Sequence, residues 1–150
     1  MPFIKVWIHF IWSTKNREKL ISKKLKPELL NHIKENAKSK EIYIDTIECV
    51  SDHIHILVSM KGEQSISKIS MLIKGESSFW VNRGNLLNTK FEWQDEFIAV
   101  SVSESVLPKV REYIKNQEEH HKVKLLLKNT MSLSKSMALK NLAAKACCFQ

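Results

Sequence analysis

Cysteine is scarce and poorly spaced. The chain has three, Cys49, Cys147 and Cys148, an odd set with two members adjacent, which excludes a disulfide framework and a paired CxxC zinc site. Long apolar runs are missing too. The longest, VWIHFIW and HIHILV, fall well short of the roughly 18 residues a membrane helix needs, so no membrane role is expected. No basic segment followed by an apolar stretch and a small-residue cleavage site opens the chain, because Lys5 and His9 interrupt the first apolar run. Cytoplasmic residence is the expectation. What is present is enough to fold: 150 residues, 43% hydrophobic and 27% charged, match one domain with its own core rather than a disordered or fibrous chain.

The net charge of +8 is uneven. Residues 123–150 carry five lysines and no acid, which leaves the first 122 residues at +3. A mildly basic domain suits nucleic acid through counterion release, and it suits other anionic partners equally well. Charge therefore sets no function; the pattern of residues has to.

Residues 5–14 read as a buried strand, short, rich in Val, Ile, Trp and Phe, and bounded by polar residues. From Ser22 the apolar spacing changes to three and four, with Leu25, Leu29, Leu30, Ile33 and Ala37 marking a first helix. Residues 41–50 and 53–60 read as two strands that pair as a hairpin across Ser51 and Asp52. Ile66, Ile69, Leu72, Ile73 and Phe79 mark a second helix over 65–81. Residues 91–103 read as a fourth strand. Pro108, Val110, Ile114 and Gln117 mark a third helix that runs to the charged stretch 118–122. Strand, helix, strand, strand, helix, strand, helix is the order of an α+β fold of the ferredoxin-like split β-α-β arrangement. Its antiparallel sheet is expected to carry the helices on one face and leave the other face open.

His53 and His55 are two apart on a predicted strand, so both imidazoles project from one face while Ile54 points to the other. Neutral imidazoles are good ligands for divalent ions, and two on a rigid strand form a half-site that oxygens can complete. An ordinary exposed or hydrogen-bonded histidine pair has the same sequence signature. On the third helix Tyr113 and Gln117 are four apart and share a face. Gln117 can offer a carbonyl oxygen to a hard cation, and Tyr113 a phenolic oxygen as nucleophile. A surface tyrosine beside a solvated glutamine is the alternative. Cys49 with His53 and His55 would be a third possibility, a zinc site, though one that leaves Tyr113 and Gln117 without a role.

Taken together, VWIHFIWSTKNR, the histidine pair within SDHIHILVSM, SISKISMLIKG, FEWQDEFIAVSVSES and VREYIKNQEEHHK resemble the single-tyrosine HUH transposases. These are the small TnpA-type enzymes of bacterial insertion sequences and their REP-associated relatives, and the likeness covers about residues 3–122. The resemblance implies a catalytic domain over 1–122 that cleaves and rejoins single-stranded DNA at hairpin-bearing element ends through a 5′-phosphotyrosine. Residue by residue, it implies His53, His55 and Gln117 as ligands of Mg²⁺ or Mn²⁺ and Tyr113 as the nucleophile, with no nucleotide cofactor. It further implies a homodimer whose active sites are shared in trans. A degenerate or domesticated relative that only holds hairpin nucleic acid is the alternative. His120 and His121 fit a solvated helix end better than a catalytic role. Lys15, Arg17 and Lys19 after the first strand and Lys68 and Lys74 on the second helix are candidate DNA contacts. Trp12, Trp80 and Trp93 could stack on bases, although tryptophans at such spacings are more often core.

The tail departs from that family. Where relatives continue with an acidic and aromatic segment, VKLLLKNTMSLSKSMALK has no acid, aromatic or glycine. One permitted set of codons for this stretch, read in a shifted frame, encodes SKTFAEEYNEFVQKYGFE, which has the missing pattern. A single-base loss near Lys122 is the expectation, with residues 123–150 forming a poorly packed basic tail. A lysine-rich terminal helix with Leu133, Met137 and Leu142 on one stripe is the alternative.

Overall fold

The computed structural model describes residues 2–120, and the expectations for residues 123–150 lie outside them. Two units divide the chain, Met1–Lys115 and Asn116–Gln150. The first contains every named strand and helix: β1 (Val6–Ser13), α1 (Leu25–Ser39), β2 (Tyr43–Cys49), β3 (His53–Met60), α2 (Ile66–Arg83), β4 (Ile98–Val102) and α3 (Leu107–Lys115). The sheet order is β2-β3-β1-β4, with each neighbouring pair antiparallel. This is the split arrangement expected from the element order. Among the described residues, no helix is long and apolar enough to cross a membrane.

Alternation along the two interior strands builds two different faces. Ile8, Phe10 and Trp12 of β1 and Ile54, Ile56 and Val58 of β3 share one face and are buried. Helix α1 covers that face with Leu25, Leu29, Ile33 and Ala37, and α2 adds Ile69, Ile73 and Val81. Phe10, Leu29, Ile54 and Ile56 are wholly buried, and each such side chain contributes about 1.5–3 kcal/mol of transfer free energy. The helix starts are local chemistry: Ser22 Oγ accepts the Leu25 N–H at 3.1 Å, and Ser65 Oγ accepts the Lys68 N–H at 3.1 Å.

The placement of α3 corrects the expectation that the helices share one face of the sheet and leave the other open. Leu107 and Ile114 pack with Leu57, Trp7, Val102, Val110 and Tyr113 on the opposite face of the sheet. Helices α1 and α2 therefore share one face, and α3 lies over the other, because its apolar side meets the odd-numbered residues of β1 and β3. The regular helix also ends earlier than its apolar spacing suggested. Asn116 is a turn residue and residues 117–120 are helical again. The Asn116 carbonyl accepts the His120 N–H at 3.1 Å, so Asn116 stands where a new helical turn begins, a position asparagine favours.

The fourth strand is shorter than the apolar pattern over 91–103. Phe91 and Trp93 are buried, yet they precede β4, and the backbone bridge here is the isolated one from Trp93 to Thr14. An amide side chain replaces the ladder there. Asn82 Oδ1 accepts the Phe91 N–H at 2.7 Å, and Asn82 Nδ2 donates to the Phe91 carbonyl at 2.8 Å. Trp93 Nε1 donates to Ser77 Oγ at 2.8 Å, which fixes the second aromatic against α2.

Losing both Asn82 bonds strands a buried peptide donor and acceptor, so Asn82→Ala is expected to destabilise the fold by about 3 kcal/mol. Urea unfolding should show a lower midpoint with an unchanged slope. An unchanged midpoint would mean that Asn82 does not hold the Phe91 segment.

Candidate active site

His53 and His55 stand on β3 on the face that α3 covers, with ring centroids 5.2 Å apart. Opposite them on β1 is a third imidazole. The register pairs Ile11 with His55 and His9 with Leu57, so His9 and His55 are diagonal neighbours on one face. His9 Nε2 and His55 Nδ1 are 3.0 Å apart, and the two residues are 5% and 0% exposed. Burial pushes the His9 pKa down to about 4, so its ring is neutral at physiological pH.

His53 has a different partner. Its Nδ1 is 2.7 Å from Asp52 Oδ1. A carboxylate only accepts, so His53 donates from Nδ1, which in a neutral ring puts the lone pair on Nε2. Arg17 approaches the same carboxylate, Nε to Oδ2 at 3.5 Å. It is aimed there by two successive left-handed residues, Asn16 at φ 56° and Arg17 at φ 53°. Around this turn Thr14 N–H donates to the Asp52 carbonyl and Arg17 N–H to the Thr14 carbonyl. Such a conformation is ordinary for asparagine and unusual for arginine.

Tyr113 completes the cluster from α3. Its ring lies edge-on to His55 at 5.9 Å and to His9 at 6.4 Å between centroids. What holds the helix there is partly apolar, through Leu107 and Ile114, and partly ionic. Arg111 donates from Nε to Asp45 Oδ2 at 2.8 Å and from Nη2 to Asp45 Oδ1 at 3.0 Å, and its guanidinium lies over the Trp7 ring at 5.8 Å. Asp45 is the extra residue of a bulge in β2, since Ile44 pairs with Val58 and Thr46 with Leu57. A bulge re-aims a side chain, and here it presents the carboxylate to α3. Burial works to raise the Asp45 carboxyl, but the hydrogen bonds from Arg111 and Thr46 and the Arg111 charge outweigh it and hold its pKa below the ordinary value.

The other expected residues separate by place. Gln117 is buried and belongs to the second unit, whereas Tyr113 belongs to the first. Cys49 cannot join the histidines. It pairs with Ile54 and lies in the core on the α1 and α2 side, so the zinc reading fails on strand parity. Lys15 is exposed and paired with Glu92 at 3.2 Å. Lys68 is exposed on α2. Lys74 instead ties α2 to the segment before β4, with Nζ donating to the Asp95 carbonyl at 2.7 Å and the ammonium over Trp12 and Phe97. Trp12 and Trp93 are core, and Trp80 stacks on His32 at 4.2 Å. Two residues of the site had no role in the sequence reading. His9 counted only as a break in an apolar strand, although its odd parity beside Ile8 and Phe10 places it on the histidine face. Asp52 counted only as a turn former.

Among the described residues, no three histidine, cysteine or carboxylate side chains converge as a metal-holding group. The donor set instead suits a hard divalent ion bound by two imidazoles and completed by oxygens. Both δ nitrogens of the pair have protein partners, so an ion held by this pair would be bound through the ε nitrogens.

Residues 3–117 match the family model described as "Transposase IS200 like". The chain is 24% identical over 124 residues to the ISDra2 transposase TnpA of Deinococcus radiodurans, covering 74% of this chain and 83% of that protein. A crystal structure from Deinococcus radiodurans R1, titled as a transposase, superposes with a TM-score of 0.64 at 21% identity and covers 77% of this chain and 93% of its own. The REP-associated tyrosine transposase bound to a REP hairpin gives 0.60 at 17% identity, with 81% and 72% covered. These superpositions establish the common fold.

The clamp on α3 has a pH signature. Because the Asp45 pKa is depressed in the folded state, its contribution is present above the ordinary carboxylate pKa and is lost as pH falls through the lower folded value. Asp45→Asn should therefore melt at a lower temperature than the wild type near pH 7, with the gap closing in acid. A gap independent of pH would show that the carboxylate charge is not what holds α3.

Proposed function

The chain belongs to the IS200-like transposases, enzymes of DNA transposition and recombination, and from that premise we propose that it cleaves and rejoins single-stranded DNA at hairpin-bearing ends with Tyr113 as nucleophile. The observation that carries this reading is the grouping of Tyr113 with His55 and His9 on one sheet face, His53 beside them. His53 and His55, with Gln117, would hold Mg²⁺ or Mn²⁺. When bound, the ion supplies Lewis-acid stabilisation of charge at the scissile phosphate and the departing oxygen.

Tyr113 Oη attacks phosphorus in line. A phosphorus–Oη bond forms, the bond from phosphorus to the 3′ oxygen breaks, and the phenolic proton ends on that 3′ oxygen. The products are a 5′-phosphotyrosine and a 3′ hydroxyl. Since the phosphodiester bond energy is kept in the protein linkage, a second 3′ hydroxyl can reverse the step on another strand without a nucleotide cofactor. Attack by a phenol requires a group that accepts its proton. Arg17 stands beside Asp52, Lys15 is exposed two residues before Arg17, and both suit backbone phosphates. A hairpin-bearing single strand is the substrate class this reading names, in line with the hairpin bound by the REP-associated relative.

We also propose a homodimer with sites shared in trans, for which the physical motive is that β2 and β4 are the edges of the sheet among the described residues.

Incubating the protein with end-labelled hairpin DNA and Mg²⁺ or Mn²⁺ should yield a covalent protein–5′-DNA species on a denaturing gel, and chelation should remove it. Tyr113→Phe should lower adduct formation by at least about 10³-fold while hairpin binding is retained. Binding without any adduct from the wild type would replace the enzyme reading with that of a nucleic-acid-binding module.

Mixing His53→Ala protein with Tyr113→Phe protein tests the shared sites. Partial recovery of the adduct is expected, and a monomeric mass together with no recovery would count against the dimer.

A further inference from the structure

We infer that His9 is a positioning residue for the histidine pair: by accepting the Nδ1–H of His55 on its own Nε2, it fixes His55 in the tautomer whose ε nitrogen carries the lone pair. The inference rests on the reading of His53 and His55 as the pair that holds the divalent ion.

His9 Nε2 and His55 Nδ1 are 3.0 Å apart between two buried rings, so one nitrogen donates and the other accepts. Two assignments are possible. If His9 donates, the hydrogen of neutral His55 goes to its ε nitrogen, and that atom is lost as a ligand. If His9 accepts, His55 carries its hydrogen on Nδ1 and presents a lone pair at Nε2. Geometry decides between them: with Nδ1 of His55 turned to His9, only Nε2 is placed to act as a ligand, and a ligating nitrogen must carry the lone pair. Hydrogen bonds at the remote nitrogen commonly set ligand orientation and basicity in this way.

His9 is suited to the task by its place. Its ring is buried, β1 is interior to the sheet, and the register sets it diagonally beside His55. The Tyr113 ring packs edge-on against both His9 and His55, so the same imidazole backs the ligand and borders the nucleophile. Asp52 and His9 thus support one histidine each, from a turn and from a neighbouring strand.

The test has one arm without metal or DNA. Nitrogen-15 long-range correlation spectra of the full chain should show His55 as the Nδ1–H tautomer. Finding the Nε2–H tautomer would overturn the inference. In the second arm, Mn²⁺ binding is followed by electron paramagnetic resonance without DNA. His9→Leu should weaken binding about 10–100-fold, and His9→Gln, whose amide oxygen occupies roughly the place of Nε2, should recover most of it. Equal Mn²⁺ affinity in folded His9→Leu would also overturn the inference. A wild type that binds no Mn²⁺ but shows the Nδ1–H tautomer of His55, lost in His9→Leu, would end the metal reading while leaving His9 as the residue that sets the ring.

Discussion

In β1 and β3 successive side chains point to opposite faces, and both strands are interior to the sheet, so each must satisfy two environments at once. The even-numbered residues, Ile8, Phe10, Ile54 and Ile56, meet α1 and α2 in the core. The odd-numbered residues, His9, His53, His55 and Leu57, meet the other face. A shift of register by one residue would turn the imidazoles into the core and the isoleucines toward α3. The free energy of the core therefore fixes where the histidines stand, and it does so through strand geometry rather than through any contact the histidines make.

The second face depends on α3 being held. Apolar packing of Leu107 and Ile114 on Leu57 gives the helix a resting place, but apolar packing alone tolerates sliding and rotation. Arg111 adds direction. Two parallel hydrogen bonds to Asp45 define a plane as well as a distance, and they act about half a helical turn from Tyr113. The bulge that exposes Asp45 is thus connected to the position of the phenol, although β2 itself carries no residue of the histidine cluster.

Much of this architecture was legible in the sequence, and the parts that were not share a cause. Leu25, Leu29, Ile33 and Ala37 read correctly as one helical stripe, and His53–Met60 as one strand, because period and burial are local properties. Parity also placed His53 and His55 on a common face. The Asp45 bulge, the Asn82 amide that replaces a ladder for Phe91, and the Asp52 bond to His53 depend on which distant or adjacent groups meet after folding. Periodicity has no term for these. The phenylalanine and tryptophan before β4 extended the apparent strand because aromatic residues signal burial, whether or not a ladder provides it. His9 was within reach, since a lone imidazole among Ile8, Phe10 and Ile11 has to find a partner when buried.

The buried imidazole contact also explains why such a polar face can exist under a helix. An isolated neutral imidazole in the interior forfeits its hydrogen bonds to water and is costly, whereas two that bond to each other each satisfy one nitrogen. Placed on adjacent interior strands, they need no charge and no solvent for that bond. The arrangement has a chemical consequence. The δ nitrogen of His55 and that of His53 are both held by the protein, which fixes the two rings relative to each other. In the proposed site His9 and Asp52 hold one histidine each, so β1, which supplies His9, belongs to it as much as β3.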